Sequence, residues 1–282
     1  MFTVFKHTLS RSRGAILGWG VTLALLGMLF VPFYDSIATD VEAWEQLMEV
    51  YPPEILAFFG STSFTTPEGF LSIEYFSYMP LVVGVFAILA GSGMLVADEE
   101  RGVLDLIAAQ PVSRAGLFGG RLFSLLVSLI IIVAMGYAGI MASTTYSVME
   151  LDAAQVLVPF TSMFALLVFF ASFSLLLSML LPSRQSAAMV AGIVLVAGFF
   201  INGLSHLNDS LASINRLLPL TYYQSSNWTE GLELGWLLGL LGAALAFMSL
   251  ALWRFLGRDI RVGGEGGWKL PSLSLRRAKH AQ

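Results

Sequence analysis

Cysteine is absent from the 282-residue chain, and histidine occurs only 3 times, at His7, His206 and His280. Without cysteine the chain has no disulfide, no thiolate metal site and no cysteine nucleophile. The histidines lie too far apart in the sequence to indicate a histidine-rich metal site, so we expect no bound metal. These absences exclude the chemistry of thiol enzymes and argue against that of metalloenzymes.

Charged residues are also scarce, at 12% of the chain, while 56% of the residues are hydrophobic. A soluble domain carries roughly twice that share of charge, which keeps its surface in water. The formal net charge is −4, which argues against the basic stripe that nucleic-acid binding requires. With a mean hydropathy of +0.77, the composition predicts an integral membrane protein.

Six apolar runs are long enough to cross a hydrocarbon layer of about 30 Å, which takes roughly 20 helical residues. The runs are continuous rather than alternating, which favours helices over a β-barrel. We predict an all-α fold with a transmembrane domain over residues 1–256 and a basic tail over 257–282. The predicted spans are about 14–34, 75–97, 122–142, 154–181, 187–203 and 234–253. The first apolar run, Ala15 to Phe33, exceeds the core of a signal peptide, so we expect it to be retained.

The distribution of charge predicts the orientation. With these spans, 14 of the 15 lysine and arginine residues fall on one side of the membrane, and Arg216 alone falls on the other. Of the 19 acidic residues, 13 fall on the side of Arg216. Since cytoplasmic loops are rich in lysine and arginine, both termini are expected in the cytoplasm.

Two outer segments are expected to contain interfacial or re-entrant helices. In the segment 35–74, apolar residues recur at helical spacing opposite acidic ones, at Val41, Trp44, Met48 and Tyr51. Pro52-Pro53 should end this helix. We favour a lid over the outer mouth as its role, rather than a ligand site. The second segment, Leu204–Gly231, mixes leucine with polar residues as a re-entrant helix does.

Aspartate, glutamate, lysine, arginine and histidine are absent from the six predicted apolar cores. Such residues mark proton relays, ion paths and voltage sensors, so their absence argues against a proton-coupled carrier, a pump or a cation channel. Gly91-Ser92-Gly93 resembles a serine nucleophile turn, but no membrane histidine is present to activate the serine, and close helix packing is the better interpretation. Small residues at Gly14 and Gly18, and at Gly235 and Gly239, predict two further packing faces.

The most informative stretch lies between the second and third predicted spans, at Asp98–Arg121. Three acidic residues are expected at the start of a helix, where free backbone N–H groups favour negative charge. An apolar stripe follows at Val103, Leu104, Ile107 and Ala108. Pro111 should stop this helix, and Ser113 should cap a second one that leads into the third span. The pattern indicates either a helix lying on the membrane or a docking element for a cytoplasmic protein.

The stretch closely resembles the signature of the type-2 ABC exporter permeases, E-E-R-G-T-L-(D/E)-L-L-x-x-x-P-V-S-R. It reads Glu99-Glu100-Arg101-Gly102-Val103-Leu104-Asp105-Leu106 and then Pro111-Val112-Ser113-Arg114. Only the threonine of the pattern differs, replaced by Val103. Further similarities are the basic start at residues 1–13, Pro-Pro-Glu at 52–54, Phe-Phe-Gly at 58–60 and Leu-Pro-Leu-Thr-Tyr-Tyr at 218–223.

The resemblance implies a six-span permease subunit of a bacterial or archaeal plasma-membrane exporter, paired with a second permease and held by a cytoplasmic ATPase. The residues that would couple to the ATPase, within the segment 98–118, are Glu99, Glu100, Arg101, Gly102, Val103, Leu104, Asp105, Pro111, Val112, Ser113 and Arg114. The second and fifth spans would line the translocation path, with Ser92 and Asn202 as its polar contacts. Residues 1–13 would form an interfacial elbow helix.

The chain contains no Gly-x-x-x-x-Gly-Lys-(Ser/Thr) phosphate loop. We therefore expect ATP and Mg²⁺ to bind a separate partner chain, and this chain to be non-catalytic and without a cofactor of its own. The uncharged spans favour a hydrophobic or amphipathic cargo, because an ion requires polar partners. A membrane scaffold or sensor that tethers the ATPase without transport is the alternative. The identity of the cargo, and whether the two permeases are identical, stay open at this point.

Overall fold

The computed structural model describes residues 1–50, 52–60, 63–102 and 113–257, and the fold is given for these residues. Every regular element among them is helical. The α-helices are α1 (Phe2–Thr39), α2 (Val41–Val50), α3 (Pro53–Phe58), α4 (Pro67–Leu71), α5 (Met79–Gly93), α6 (Val96–Glu100), α7 (Arg114–Ser143), α8 (Ala153–Leu180), α9 (Arg184–Ser205), α10 (Ala212–Asn215) and α11 (Leu234–Gly257). A π-helical turn, Ser72–Phe76, follows α4 and leads to α5. Short 3-10 turns lie at Thr144–Tyr146, Asp209–Leu211, Pro219–Tyr222 and Trp228–Glu230.

Six helical segments are long and apolar enough to cross a membrane, which confirms the predicted spans. They are Phe2–Thr39, Pro67–Gly93, Arg114–Tyr146, Ala153–Leu180, Arg184–Ser205 and Leu234–Gly257. The shortest, α9, has 22 residues. A helix of that length rises about 33 Å, enough for a hydrocarbon layer of about 30 Å. The chain is therefore an all-α, multi-pass membrane protein, and the predicted tail beyond residue 257 lies outside the described residues.

The second span begins before its predicted start. Its helix starts at Pro67 instead of Tyr75, because the Thr66 hydroxyl accepts a hydrogen bond from the Gly69 backbone N–H at 3.1 Å. Proline suits the first helical turn, since its missing N–H is not needed there. The residues between Pro67 and Tyr75 are only weakly apolar, so hydropathy alone hides them. Glu74 consequently lies within the helical segment of the second span.

The first and fifth spans also extend towards the N-terminus. Residues 2–13, the expected elbow, continue into the first span as one helix, α1. The fifth span starts at Arg184 rather than Ala187, because Ser183 caps it in a reciprocal hydrogen-bonding box. Both helix starts bring basic side chains to the same end of the bundle.

One end of the bundle carries nearly all the described basic residues, and we call it the basic face. The start of α1, all of α6, the starts of α7 and α9 and the end of α11 lie there. Its described lysine and arginine residues are Lys6, Arg11, Arg13, Arg101, Arg114, Arg121, Arg184 and Arg254. We call the other end, where Arg216 lies, the opposite face.

The centre of the bundle is α8. Two thirds of its most apolar window is buried, against 17% for α11, which lies at the periphery. α8 packs against α5, α7, α9 and α11. Its buried residues include bulky side chains such as Phe160, Leu167 and Phe170 and small ones such as Ser174. A helix that is apolar all round and surrounded by other helices forms the core of a membrane bundle.

The largest helix interface is that between α1 and α7, which run parallel. At Gly139 of α7, the position of a Cβ atom would lie 2.6 Å from the Ala24 Cα of α1. Gly27 and Gly136 are similarly close to side chains of the other helix, Ile140 and Leu23. Small residues let helix backbones approach in lipid, where van der Waals packing provides much of the attraction.

The predicted packing faces at Gly14 and Gly18, and at Gly235 and Gly239, are wrong for contacts within the described chain. A Cβ atom added at any of these four positions meets no atom within 4 Å. The glycines that do make close contacts are separated by unequal intervals, which a search for a four-residue repeat does not detect. Glycine is common in membrane helices, so the repeat alone is a weak signal.

Short helices cover the opposite face. The acidic, amphipathic helix is α2, and Trp44 on it contacts Phe64 with ring centroids 6.0 Å apart. After α2 ends at Val50, α3 begins at Pro53. Phe58 at the end of α3 packs against Gly203 of α9, at a position where any larger residue would collide with the ring. α3 thereby covers the end of the fifth span at the opposite face.

Replacing Gly139 with alanine should destabilise the protein by about 1–3 kcal/mol, because the added methyl group overpacks a contact with the α1 backbone. Gly18→Ala on α1 is the matched control and should have little effect, since its surroundings are open. Thermal unfolding of both variants in the same detergent measures the difference. Equal midpoints for Gly139→Ala and Gly18→Ala would contradict the close approach of α1 and α7.

Candidate functional site

The acidic triplet lies on a short helix of its own, α6, at the basic face. α6 begins after a break at Leu95 and places Asp98 and Glu99 in its first turn. Both side chains are buried. The helix ends at Glu100, and Gly102 has a φ of +67°, a left-handed conformation that terminates helices and favours glycine. The helix that carries the triplet therefore ends before the apolar stripe, which corrects our expectation that this helix continues through Val103; the stripe itself lies outside the described residues.

A buried ion pair fixes α6 to the start of α7. The Arg121 Nη2 atom donates to the Asp98 Oδ2 atom at 2.6 Å, and both side chains are over nine-tenths buried. The Arg121 Nη1 atom donates to the Met94 carbonyl at 2.7 Å. Arginine is suited to this position because its planar group bonds two acceptors at once. Its desolvated charge is thus satisfied from two directions.

The same carboxylate reaches α1. The Arg11 Nη1 atom lies 3.5 Å from the second oxygen, Oδ1, of Asp98, and the Arg11 side chain is 56% exposed. An exposed pair at this distance adds little stability. Its significance is geometric, since it places a mobile arginine of α1 next to the Asp98–Arg121 pair.

The last acid of the triplet fixes α6 to α9. The Glu100 Oε1 atom accepts a hydrogen bond from the Arg184 backbone N–H at 2.9 Å. Arg184 is the first residue of α9, and the free N–H groups of a helix start favour a negative charge. The Arg184 side chain folds towards α5, where its Nε atom lies 3.0 Å from the position of a Cβ on Gly93. Any larger residue at Gly93 would push that side chain away.

The start of α7 follows the sequence prediction. The Ser113 hydroxyl accepts a hydrogen bond from the Gly116 backbone N–H at 3.1 Å, which confirms Ser113 as the cap. Arg114 is exposed in the first turn of α7. Arg101 and Gly102 are exposed at the end of α6. The remaining predicted coupling residues, Val103, Leu104, Asp105, Pro111 and Val112, lie outside the described residues.

The geometry anchors both ends of the segment 103–112. At one end, α6 is bonded to α7 and α9 through Asp98 and Glu100. At the other end, a capped helix leads directly into the third span. A displacement of this segment would therefore be passed to several membrane helices.

Ser92, a candidate contact of the translocation path, is completely buried. Its hydroxyl donates to the Leu89 carbonyl of the same helix at 3.3 Å. At neighbouring Gly91, a Cβ atom would collide with the Ala171 carbonyl of α8. This stretch of α5 thus packs tightly against α8, in agreement with the packing interpretation of Gly91-Ser92-Gly93.

Asn202, the other candidate, lies at the opposite face. Its Oδ1 atom accepts a hydrogen bond from the Asn215 Nδ2 atom at 3.1 Å, which fastens the outer segment onto α9. Asn202 also lines a small cleft of about 20 Å³ together with Phe58, Phe59 and Tyr223. That volume is about enough for one water molecule. In this conformation aromatic side chains close the end of the fifth span at the opposite face.

A second polar cluster at this end surrounds the π-helical turn. The Tyr223 hydroxyl donates to the Phe76 carbonyl at 2.9 Å, and the Trp228 indole N–H donates to the Ser72 hydroxyl at 3.0 Å. Both side chains are buried. Burial, and then the neighbouring Tyr75 hydroxyl, raises the pKa of Tyr223 well above the usual tyrosine value, so it stays a neutral donor. These bonds hold the outer segment down on the second span.

Sequence reasoning missed three residues at the basic face, Arg11, Arg121 and Arg184. Each was counted only as part of the positive charge that sets orientation. One signal was present for Arg121. It lies beside the third predicted span and Asp98 beside the second, and opposite charges at adjoining ends of consecutive antiparallel helices face each other. The role of Arg184 depends on its backbone N–H, which no side-chain pattern reveals.

A comparison with protein-family models matches residues 2–260 to the ABC-2 family transporter protein model. The match covers nearly the whole chain, including all six spans. The chain belongs to the ABC-2 transporter family. Among proteins with curated functions, the comparison found no significant match.

As an ABC-2 permease, the chain is a membrane component of a transporter. ABC-2 permeases in general work in assemblies with an ATPase and a second membrane subunit. They are generally non-catalytic, so ATP hydrolysis is not a task of the membrane component. The family assignment thus agrees with the resemblance first noticed at residues 99–114.

Replacing Arg121 with methionine should destabilise the permease by about 3–5 kcal/mol, because Asp98 is left buried without its partner. The double variant Asp98→Leu/Arg121→Met should recover much of that loss, since no unpaired charge remains. Thermal unfolding in detergent compares the two variants with Arg254→Met, an exposed control on the same face. A single variant as stable as the control would show that the pair is not buried.

Proposed function

We propose that this chain is the permease subunit of an ATP-driven exporter and pairs with a second permease copy or a related permease. A separate cytoplasmic ATPase binds ATP and Mg²⁺ and docks on the segment 98–118. When the ATPases close, the docked segments move inward and the cavity between the permeases turns outward. The observation that carries this proposal is the double anchorage of α6, through Asp98 to Arg121 and through Glu100 to Arg184.

The double anchorage supports coupling because it makes α6 stiff against the bundle. A flexible connection would absorb the movement of a docked partner. Here the segment leaves α6 at Gly102, in a conformation that glycine adopts at no cost, and re-enters the bundle at the cap of Ser113. Both flanks of the segment are thus fixed to the bundle, so a displacement of the segment would be passed to the membrane helices. The coupling roles of Val103, Leu104, Asp105, Pro111 and Val112 remain part of the proposal.

We further propose that the basic face is cytoplasmic, in a bacterial or archaeal cell membrane. The support is the charge bias, since eight of the described lysine and arginine residues lie on this face and Arg216 lies on the other. Both termini are then cytoplasmic. An ATPase supplied with cytoplasmic ATP would meet α6 on this face.

The cargo path is proposed to follow the second and fifth spans. Asn202 would become available to cargo only when the aromatic cover formed by Phe58 and Phe59 moves away. Ser92 would require separation of α5 from α8. A cargo that is hydrophobic or amphipathic suits a path with few polar groups.

Purification of the tagged permease in mild detergent should recover an ABC-type ATPase in equal amount, detected by mass spectrometry. Glu100→Lys should weaken this association about 10–150-fold, because a hydrogen bond to a charged group contributes about 1.5–3 kcal/mol and its loss displaces the start of the docking segment. Pro111→Ala should weaken it in the same direction, because the sequence predicts a helix that this proline stops and that alanine would extend.

Glu150→Lys is the control for charge reversal, since Glu150 is exposed on the opposite face. All three variants should insert in the membrane in normal amounts. If Glu100→Lys and Pro111→Ala retain the ATPase as well as the control does, the docking assignment is wrong. An intact permease that recovers no ATPase at all would favour a scaffold or sensor instead.

The orientation can be tested by cysteine labelling, which is clean because the natural chain has no cysteine. Tyr146→Cys, at a position that is 85% exposed on the opposite face, should react with an impermeant maleimide added to intact cells. Gln185→Cys, exposed on the basic face, should react only after the membrane is opened. The reverse pattern would invert the proposed topology.

A further inference from the structure

A cavity of about 350 Å³ lies at the basic face, between α1, α5 and α7. It shares Asp98 and Arg101 with the proposed docking segment but includes neither of the two candidate path residues, Ser92 and Asn202. Its lining combines charged side chains with apolar ones from separate parts of the chain. The lining residues that the argument uses are Arg11, Arg101, Arg121, Arg184, Asp98 and Leu89.

Positive charge predominates at the mouth of the cavity. Four arginines line it, against the single acid Asp98 among the described lining residues, which gives a net charge of +3 with histidine neutral. Asp98 is already engaged by Arg121 at 2.6 Å. Within the described part of the chain, Arg101 and Arg184 form no ion pair, and Arg11 has only its 3.5 Å contact with Asp98. The cavity therefore has cationic groups available for an anion.

The interior becomes apolar with depth. From Arg121, α7 continues inward to Ser128, about 10 Å along a helix axis. The Ser128 hydroxyl donates to the Ser124 carbonyl of its own helix at 2.7 Å. The deeper lining also includes Phe86 and Leu125. A ligand with a charged head and an apolar chain matches this gradient.

The cavity also opens sideways. Leu89 and Arg184 line a second depression of about 490 Å³, between α5 and α9. The Leu89 side chain faces outward and the residue is 44% exposed. Since α5 is a membrane span, an exposed leucine at this depth faces lipid or another membrane helix. A molecule of the bilayer can thus reach the arginines without passing through water.

We infer that this cavity binds the anionic head group of a membrane amphiphile, a phospholipid of net negative charge, with its acyl chain against Leu89, Phe86 and Leu125. Basic pockets between membrane helices recognise such head groups. Single arginines at a membrane surface merely extend into water, but here arginines from four helical elements converge on one cavity. The inference depends on the proposed cytoplasmic position of the basic face in one respect only: the lipid would then come from the cytoplasmic leaflet. It requires no transport.

The test is native mass spectrometry of the full-length, delipidated permease in detergent, titrated with phosphatidylglycerol. We expect one phosphatidylglycerol molecule to bind at concentrations where phosphatidylcholine, with the same acyl chains, does not. Arg11→Gln/Arg184→Gln should weaken binding about 30-fold, since each basic residue contributes about one step of five- to sixfold. Arg254→Gln, exposed on the same face outside the cavity, should bind as wild type.

Two further measurements distinguish a lipid site from a site for free anions and test the role of the apolar lining. Inorganic phosphate should not displace the lipid at millimolar concentration, because it lacks the chain; if it does, the site is one for free anions. Ala90→Phe fills the deeper part of the cavity and should weaken lipid binding while all four arginines remain. Should the double variant not fold, Arg11→Gln alone serves, since its side chain is largely exposed. Unchanged phosphatidylglycerol affinity in these variants would overturn the inference, and ATPase recovery in the same preparations reports separately on the proposed function.

Discussion

The Asp98–Arg121 pair holds the basic face together, because neither charge can leave the other without a large cost. Withdrawing an ion from water costs several kcal/mol, and the loss is offset only by close, fully hydrogen-bonded partners. Arg121 has such partners in the Asp98 carboxylate and the Met94 carbonyl. The end of the second span and the start of the third must therefore move as one body. Glu100 extends that body to α9 and the exposed Arg11 reaches it from α1.

The two faces are held by different kinds of contact. At the opposite face the outer segments are fastened by neutral hydrogen bonds, such as that of Asn215 to Asn202, and by the ring of Phe58 against Gly203. A neutral hydrogen bond contributes about 0.5–1.5 kcal/mol, well below the cost of breaking a buried ion pair. Such contacts separate more readily than the pair does. The basic face is therefore the more firmly held end of the bundle, and the opposite face is the end that separates more readily.

Hydropathy predicted the number and type of the spans, because a run of about 20 apolar residues has few structural alternatives to a membrane-spanning helix. It placed the start of the second span too late. That start is set by the hydrogen bond to the Thr66 cap, which a hydropathy pattern does not register. The motif at residues 99–114 pointed to the ABC-2 family, and Ser113 was correctly identified as a cap. The pairing of Asp98 with Arg121 and the contact of Glu100 with a backbone N–H depend on how separate helices meet. Helix packing at Gly139 likewise depends on a partner far away in the sequence.

The distance in sequence between Gly139 and its partner helix α1 has a consequence for biogenesis. The surface of α1 that contacts α7 includes Leu23, Ala24 and Gly27, and its partner is complete only when Ser143 has been made. At about 5–20 residues per second, a ribosome takes roughly 5–20 s to add the intervening chain. During that interval the first span sits in the bilayer with its largest interface unfilled. A membrane chaperone or the insertion machinery then has a defined period in which to shelter it.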